Sequence, residues 1–292
     1  MASVETSDLV RDAANDIFAA IEATLLTAGR EKNVVRLTPE LGEDVMITAD
    51  LHGHWDNFHH LLEVADLDNH PRRHLIMHEV CHGGPSYEGK PSADRSHEML
   101  LEVARLKRRY PDRFHFIISN HELSEMTEYP ISKDGRMVTL AFRLGIGELF
   151  GQEMEHMHQV YSAFIGCSPL GVWLPGGIFV CHSAPADVDT EGFDASVMDR
   201  NLTQRDLNSK GAVFRMVWGR DYRQENADAF ADAIRAKVLI HGHTPCEEGY
   251  NVPNTRQIIL DCCHTPASYV ILPLDQELDQ QDIIGRIQVF GE

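Results

Sequence analysis

Five times along this chain a short apolar run, suited to a buried strand, ends directly in a cluster of Asp, His, Asn or Glu. Val45–Ala49 leads into Asp50-Leu51-His52-Gly53-His54, and Leu75–Met77 into His78-Glu79-Val80-Cys81-His82-Gly83-Gly84. Phe114–Ile118 leads into Ser119-Asn120-His121-Glu122, Ile178–Cys181 into His182, and Val238–Ile240 into His241-Gly242-His243-Thr244-Pro245. Helix-like stretches over Asp56–Ala65 and Ser92–Tyr110 separate the early strands. Strands alternating with helices imply an α/β sandwich with polar groups presented from strand ends. Ligands of open α/β sheets gather outside the carboxyl ends of strands, so five clusters there describe one pocket assembled from most of the chain.

A chain of 292 residues, 43% hydrophobic, is long enough for a sizeable core. It shows no repeat, low-complexity tract or Pro/Gly/Ser linker. The expected division is an N-terminal helical extension over residues 1–40, packed on a single domain over 41–292. Within the extension, Leu9, Ala13, Ile17, Ile21 and Leu25 recur every four residues, predicting an amphipathic helix over 7–29 with Ser7 as N-cap and Gly29 as terminator. The net charge of -19 argues against a nucleic-acid or anionic-membrane surface. An anionic substrate is compatible with it only where cations reverse the local potential. The six cysteines form no CxxC pair, which argues against a zinc ribbon. Met1–Asp12 is unlike a signal peptide, and no run of about 18 apolar residues predicts a membrane span. The expected setting is the reduced cytoplasm.

Taken singly, each cluster has an ordinary explanation, because a lone His after a strand is more often a cap or a core residue than a ligand. Five together are a different matter. Carboxylate, imidazole and amide oxygen in one pocket suit borderline transition metals such as Mn, Fe and Zn, whereas calcium prefers an all-oxygen cage.

The order of the clusters resembles that of the phosphoprotein phosphatases, within the calcineurin-like metallophosphoesterases. That family reads Asp-x-His-Gly, Gly-Asp-x-x-Asp-Arg-Gly, Gly-Asn-His-Glu, a His after an apolar strand, and Gly-His-Thr-Pro. The likeness spans roughly residues 44–273. It implies an αββα sandwich of two mixed sheets flanked by helices, and a dinuclear metal centre that hydrolyses phosphoesters with a metal-bridging hydroxide. Carried over by position, Asp50 and His52 hold one metal, Asn120, His182 and His243 the other, and Glu79 stands where an Asp bridges both. His121 falls at the family's general acid; the other reading is that it only orients Asn120. Arg220, in Val217-Trp218-Gly219-Arg220, falls at a phosphate-binding Arg; the other reading is a surface Arg paired with Asp221.

The second motif is altered. His82 stands where the family has the Asp that pairs with its catalytic His, and Gly83 where it has a phosphate-clamping Arg. A carboxylate partner would raise the pKa of His121, and a His partner beside cations lowers it. His82 and His121 together form a candidate acid–base dyad. Family-like residues at positions 82 and 83 are expected to favour phosphatase chemistry. His54, His78, Cys81, Cys181, His241, Cys262, Cys263 and His264 crowd the same loops, with Cys181 expected in the core. Three functions remain open at this point: a phosphoesterase acting on a protein or small-molecule phosphoester, the same centre repurposed for other chemistry on a small molecule, and a metal-binding protein without catalysis.

Overall fold

The computed structural model describes residues 2–133 and 135–291. The strands Asp44–Ile47, Arg73–Met77 and Phe114–Phe116 lie parallel and side by side. Almost every residue in them is buried, as expected of parallel strands covered on both faces. The sheet is completed from far along the chain. Ala267–Pro273 pairs antiparallel with Asp44–Ile47, placing Val270 opposite Ile47, and Ile287–Phe290 pairs antiparallel outside it.

The second sheet has seven strands. Its order is Arg30–Glu31, Val34–Arg36, Gly171–Leu174, Ile178–Cys181, Val238–His241, Gln257–Leu260 and Tyr250–Asn251. Ile178–Cys181, Val238–His241 and Gln257–Leu260 run parallel, and the remaining pairs mix both senses. Helices flank the two mixed sheets, which is the expected architecture. Val34 and Val35 are buried strand residues, so the chain enters the sheets before residue 41.

The first helix runs over Ala2–Leu25, not 7–29. Ser7 therefore lies inside it and caps nothing. Gly29 lies four residues past the helix in a left-handed turn (φ 77°), where a Cβ would lie 2.3 Å from the Arg36 carbonyl oxygen. The predicted apolar periodicity holds in part: Ala13, Ile17 and Ala20 are buried against helices Ser96–Arg109 and Met154–Cys167, while Leu9 and Leu25 are exposed. The stretch expected as helix over Ser92–Tyr110 is helical only at Ser96–Arg109. Lys90–Asp94 is a strand paired with Ser86–Tyr87, and helical propensity there yields to a local hairpin. No helix among the described residues is long and apolar enough to cross a membrane.

Parallel strands that begin on one side of a sheet end together on the other. The carboxyl ends of Asp44–Ile47, Arg73–Met77 and Phe114–Phe116 thus deliver their polar clusters to one place. Ile178–Cys181 and Val238–His241 deliver theirs from the second sheet. Backbone bonds seal the meeting: Cys262 N donates to Asp50 O, Leu51 and His52 N both donate to Glu79 O, and Gly242 N donates to His182 O.

Candidate metal centre

Glu79 lies between two groups of side chains. Its Oε1 is 3.0 Å from His52 Nε2 and 3.8 Å from His121 Nε2. Its Oε2 is 2.7 Å from His182 Nε2. That same nitrogen is 2.7 Å from Asn120 Oδ1 and 3.0 Å from His243 Nδ1. Residues separated by up to 191 positions in sequence thus crowd around one carboxylate.

Asp50 lies differently from expectation. Its carboxylate accepts the His243 backbone N–H (3.0 and 2.9 Å) and approaches His78 Nδ1 (3.4 Å) and His182 Nδ1 (3.7 Å), rather than grouping with His52. His78 thus joins the cluster, 3.0 Å from His182 Nδ1. Gly242 makes room for both, because a Cβ there would lie 2.3 Å from Asp50 Oδ1.

Backbone geometry holds these side chains at a cost. His52, Glu79, His82 and His243 all have positive φ (45°, 51°, 66° and 70°), a region that side-chain-bearing residues seldom occupy. Four such residues in one pocket mark a site whose surroundings enforce strained geometry. Two loops lock backbone to backbone beneath it. A Cβ on Gly83 (φ 153°) would lie 2.3 Å from His52 O, and one on Gly84 2.2 Å from Gly53 O. Asp94, from the unexpected strand, accepts Gly83 N (3.0 Å), and Ser96 Oγ accepts His82 N (2.8 Å). Glu122 Oε1 accepts both Val80 N (2.9 Å) and Cys81 N (3.0 Å), and its other oxygen bonds the Ser119 hydroxyl.

The donor set fits cations. His52 Nδ1 is 3.0 Å from the Cys81 carbonyl oxygen, so that nitrogen carries a proton and Nε2 is turned towards Glu79. His182 Nδ1 likewise faces His78 and Asp50, leaving its Nε2 opposed to Glu79 and Asn120 oxygens. These oxygens and imidazole nitrogens are held about 3 Å apart by positive charge among them, and ligands of one transition metal about 2.0–2.2 Å from it lie at similar mutual spacings. His78 Nε2 and His243 Nε2 are buried without a hydrogen-bond partner.

The electrostatics agree. Burial works against the charge of His52, but Glu79 and then Asp50 outweigh it and raise the group to about 9. Burial also works against the Glu79 carboxylate, yet His182 and His52 hold it well below the usual range. Burial, with the Glu79 charge added, pushes Asp50 up. His78, His121 and His243 are pushed well below the ordinary imidazole range, chiefly by burial. Such a pocket has strong affinity for positive charge.

Arg220 is exposed, and its Nη2 donates to the His243 carbonyl at 3.0 Å. Asp221, its suspected partner, pairs instead with Arg223. Among the described residues no carboxylate pairs with Arg220, and it stands at the rim beside His243. His82 and His121 meet through Nδ1 atoms 2.8 Å apart. Behind His82 stands a residue the sequence reasoning missed, Glu125, with His158 beyond it. The available signal was spacing: Glu125 follows His121 by four residues in helix Asn120–Thr127, one turn along the same face.

Several crowding residues have structural places. His54 caps helix Trp55–Ala65, accepting Asn57 N at 3.2 Å. Cys181 is buried, with its thiol donating to Ser183 O. Cys262 is buried, and its thiol donates to Ser268 O. His241 stacks on Tyr222 and is lowered to about 4 by burial, making no contact with Glu79 or Asp50. All six cysteines are free.

Solved structures share this fold. A Saccharomyces cerevisiae protein serine/threonine phosphatase with similarity to human phosphatase PP5 aligns over 97% of this chain and 90% of its own, with TM-score 0.67 and 14% identity. A cold-active protein-tyrosine phosphatase of a psychrophilic Shewanella aligns over 88% of this chain and 82% of its own, with TM-score 0.59 and 13% identity. No curated protein sequence matches. The stretch from residue 44 to residue 247, which carries every polar cluster from Asp50 to His243, matches the calcineurin-like phosphoesterases, and the chain belongs to that family.

Proposed function

We propose that the chain is a phosphoester hydrolase with two transition-metal ions, Mn, Fe or Zn, held around Glu79. The observation that carries the proposal is the convergence of His52, His121, Asn120, His182 and His243 around one buried carboxylate. Asn120, His182 and His243 would hold one ion and His52 the other, with the Glu79 carboxylate available to both. Asp50 completes the set, and His78 orients His182. When bound, such ions supply Lewis acidity and bring the pKa of a coordinated water towards neutrality.

The remaining work falls to the chain. Arg220, free of a carboxylate partner, is placed to bind phosphate oxygens as these gain charge. His121, backed by His82, is the group placed to exchange a proton at the reacting centre. Glu122 and Asp94 fix the loop that carries Glu79 and His82. The substrate is a phosphoester of a protein or a small molecule.

The test joins composition to turnover. The purified protein should carry up to two transition-metal ions per chain and hydrolyse an aryl phosphate. Asn120→Ala and His243→Ala should each lower both metal content and rate. Absence of metal, with no uptake of Mn, Fe or Zn, would sink the proposal. The closed packing at Gly83, where the resembling motif has an Arg, favours a second reading in which the same centre serves non-phosphate chemistry. Full metal content with no aryl phosphate turnover would select it.

A further inference from the structure

At the amino end of strand Phe114–Phe116, opposite the end that serves the centre, one buried amine ties three parts of the chain together. Lys107, in the last turn of helix Ser96–Arg109, is 2% exposed. Its Nζ donates to Thr27 Oγ1 (2.6 Å), to the Pro111 carbonyl (2.6 Å) and to the Phe114 carbonyl (2.9 Å). Thr27 lies just past helix Ala2–Leu25, Pro111 lies in the turn after the lysine's own helix, and Phe114 opens the strand that leads to Asn120. The Asp112 carboxylate reinforces the junction by accepting Ala28 N at 2.9 Å.

The hydrogens of this junction can be counted. Carbonyl oxygens only accept. Thr27 Oγ1 gives its own hydrogen to Ala23 O at 2.8 Å, so it too accepts from Lys107. Three acceptors match the three N–H groups of an ammonium, and a neutral amine would leave one of them without a donor. Against the ammonium stands its burial, because among the described residues no carboxylate bonds it. The charged and titratable groups around it come from each neighbouring element. Arg30, whose amide donates to Thr27 O and whose Nη1 is buried without a partner, repels the ammonium, and Asp112 attracts it. His115 lies on the strand, with Nε2 2.9 Å from His74 Nδ1. Burial lowers both imidazoles, and the Lys107 charge adds to the effect on His115. Cys167 faces Arg30 from the end of helix Met154–Cys167 and is raised by burial, so it stays a thiol. Bonding and burial thus oppose each other at Lys107, and burial brings it down to about 7.

We propose that Lys107 is a pH-sensitive latch, whose proton sets how firmly the end of helix Ala2–Leu25 is held to the turn at residues 110–113 and to the strand beside it. When the helix end lifts away, Lys107 meets water and regains an ordinary lysine value of about 10.4. Between about 7 and about 10.4 the open form then binds a proton that the closed form has shed, so rising pH favours closure. Below about 7 both forms carry the proton, and this contribution is absent. The latch is loosest in neutral and mildly acid solution and tightens as the solution turns alkaline. His115 and His74, lowered from the ordinary imidazole range, stay neutral throughout that window and leave Lys107 as the member of the junction that changes charge within it. The device works on the frame of the fold and holds for any reaction at the centre.

The chain has six lysines, so a carbon spectrum of the protein labelled at lysine Cε can follow each one through a pH titration. One resonance should titrate near neutrality and be absent from the spectrum of Lys107→Met. Six midpoints all above about 9 overturn the proposal with no variant needed, and so does a near-neutral resonance that survives in Lys107→Met. Hydrogen exchange reads the latch itself. After correction for the intrinsic pH dependence of exchange, amide protection over residues 20–26 should rise roughly tenfold between pH 7 and pH 9 in the parent and stay level in Lys107→Met. Level protection in the parent, or an equal rise in Lys107→Met, overturns the proposal. Thr27→Val serves where Lys107→Met fails to fold. It removes one acceptor of the ammonium, so the near-neutral midpoint should move further down, and an unmoved midpoint overturns the proposal.

Discussion

Gly83 shows most directly what a single position contributes. Its φ of 153° belongs to a region that only glycine occupies freely, and its α-carbon faces the His52 carbonyl with no room for a Cβ. Gly83→Ala should cost on the order of 2–4 kcal/mol and loosen metal binding, measured by chemical denaturation and metal analysis. An Arg at this position enters only with the same clash, so the gain expected from family-like residues at 82 and 83 meets a backbone obstacle at 83. Arg220 is then the one motif-derived Arg left for phosphate. Arg220→Ala should weaken competitive inhibition by inorganic phosphate by roughly 1.5–3 kcal/mol, about tenfold or more in Ki. Unchanged inhibition would return Arg220 to an ordinary surface role. None of the positive-φ residues at His52, Glu79, His82 and His243 announces itself in sequence, because a side chain gives no sign of a left-handed backbone as glycine does.

At the level of elements, strand-end position was the legible signal. The five apolar runs appear where expected, within one to two residues, because buried parallel strands leave an unmistakable apolar trace. Helix ends were harder. Ser7 has the chemistry of a cap, but the helix begins earlier, at Ala2. Lys90–Asp94 forms strand because of its hairpin partner, which local periodicity cannot reveal. Helix Asn120–Thr127 is read in the sequence only through Asn120-His121-Glu122, yet it carries Glu125 as well. Glu122→Ala would leave two buried backbone N–H groups, of Val80 and Cys81, without an acceptor. We expect a loss of about 2–4 kcal/mol, with a smaller loss for Glu122→Gln, which retains one acceptor. Denaturation midpoints of the two variants check this, and equal losses would show that the acceptor is not what matters.

Over the whole molecule, buried neutral histidines set the response to acid. His97, packed among Phe142, Phe150 and Tyr161, is lowered to about 4 by burial. Below an unfolded value of about 6.5 the open chain takes up a proton that the folded chain refuses, so stability falls as the pH drops from about 6.5 towards 4. This residue alone accounts for at most roughly 3 kcal/mol of that loss. His97→Leu should flatten part of the decline in denaturation midpoint between pH 7 and pH 4.5, and a slope identical to the parent's would assign the decline to other groups. The order in which the parts are made carries a further consequence. Strand Ala267–Pro273 lies directly against Asp44–Ile47, the strand that leads to Asp50. During synthesis, residues 44–121 emerge long before the strand that closes their sheet, and the His182 and His243 loops emerge between the two. A ribosome adding about 5–20 residues per second leaves that edge unpaired for many seconds. In the proposed metal-dependent hydrolase, the centre is therefore completed only once the polypeptide past residue 273 has left the exit tunnel, and a nascent chain stalled before that point is a natural client for whatever shields open sheet edges in the cell.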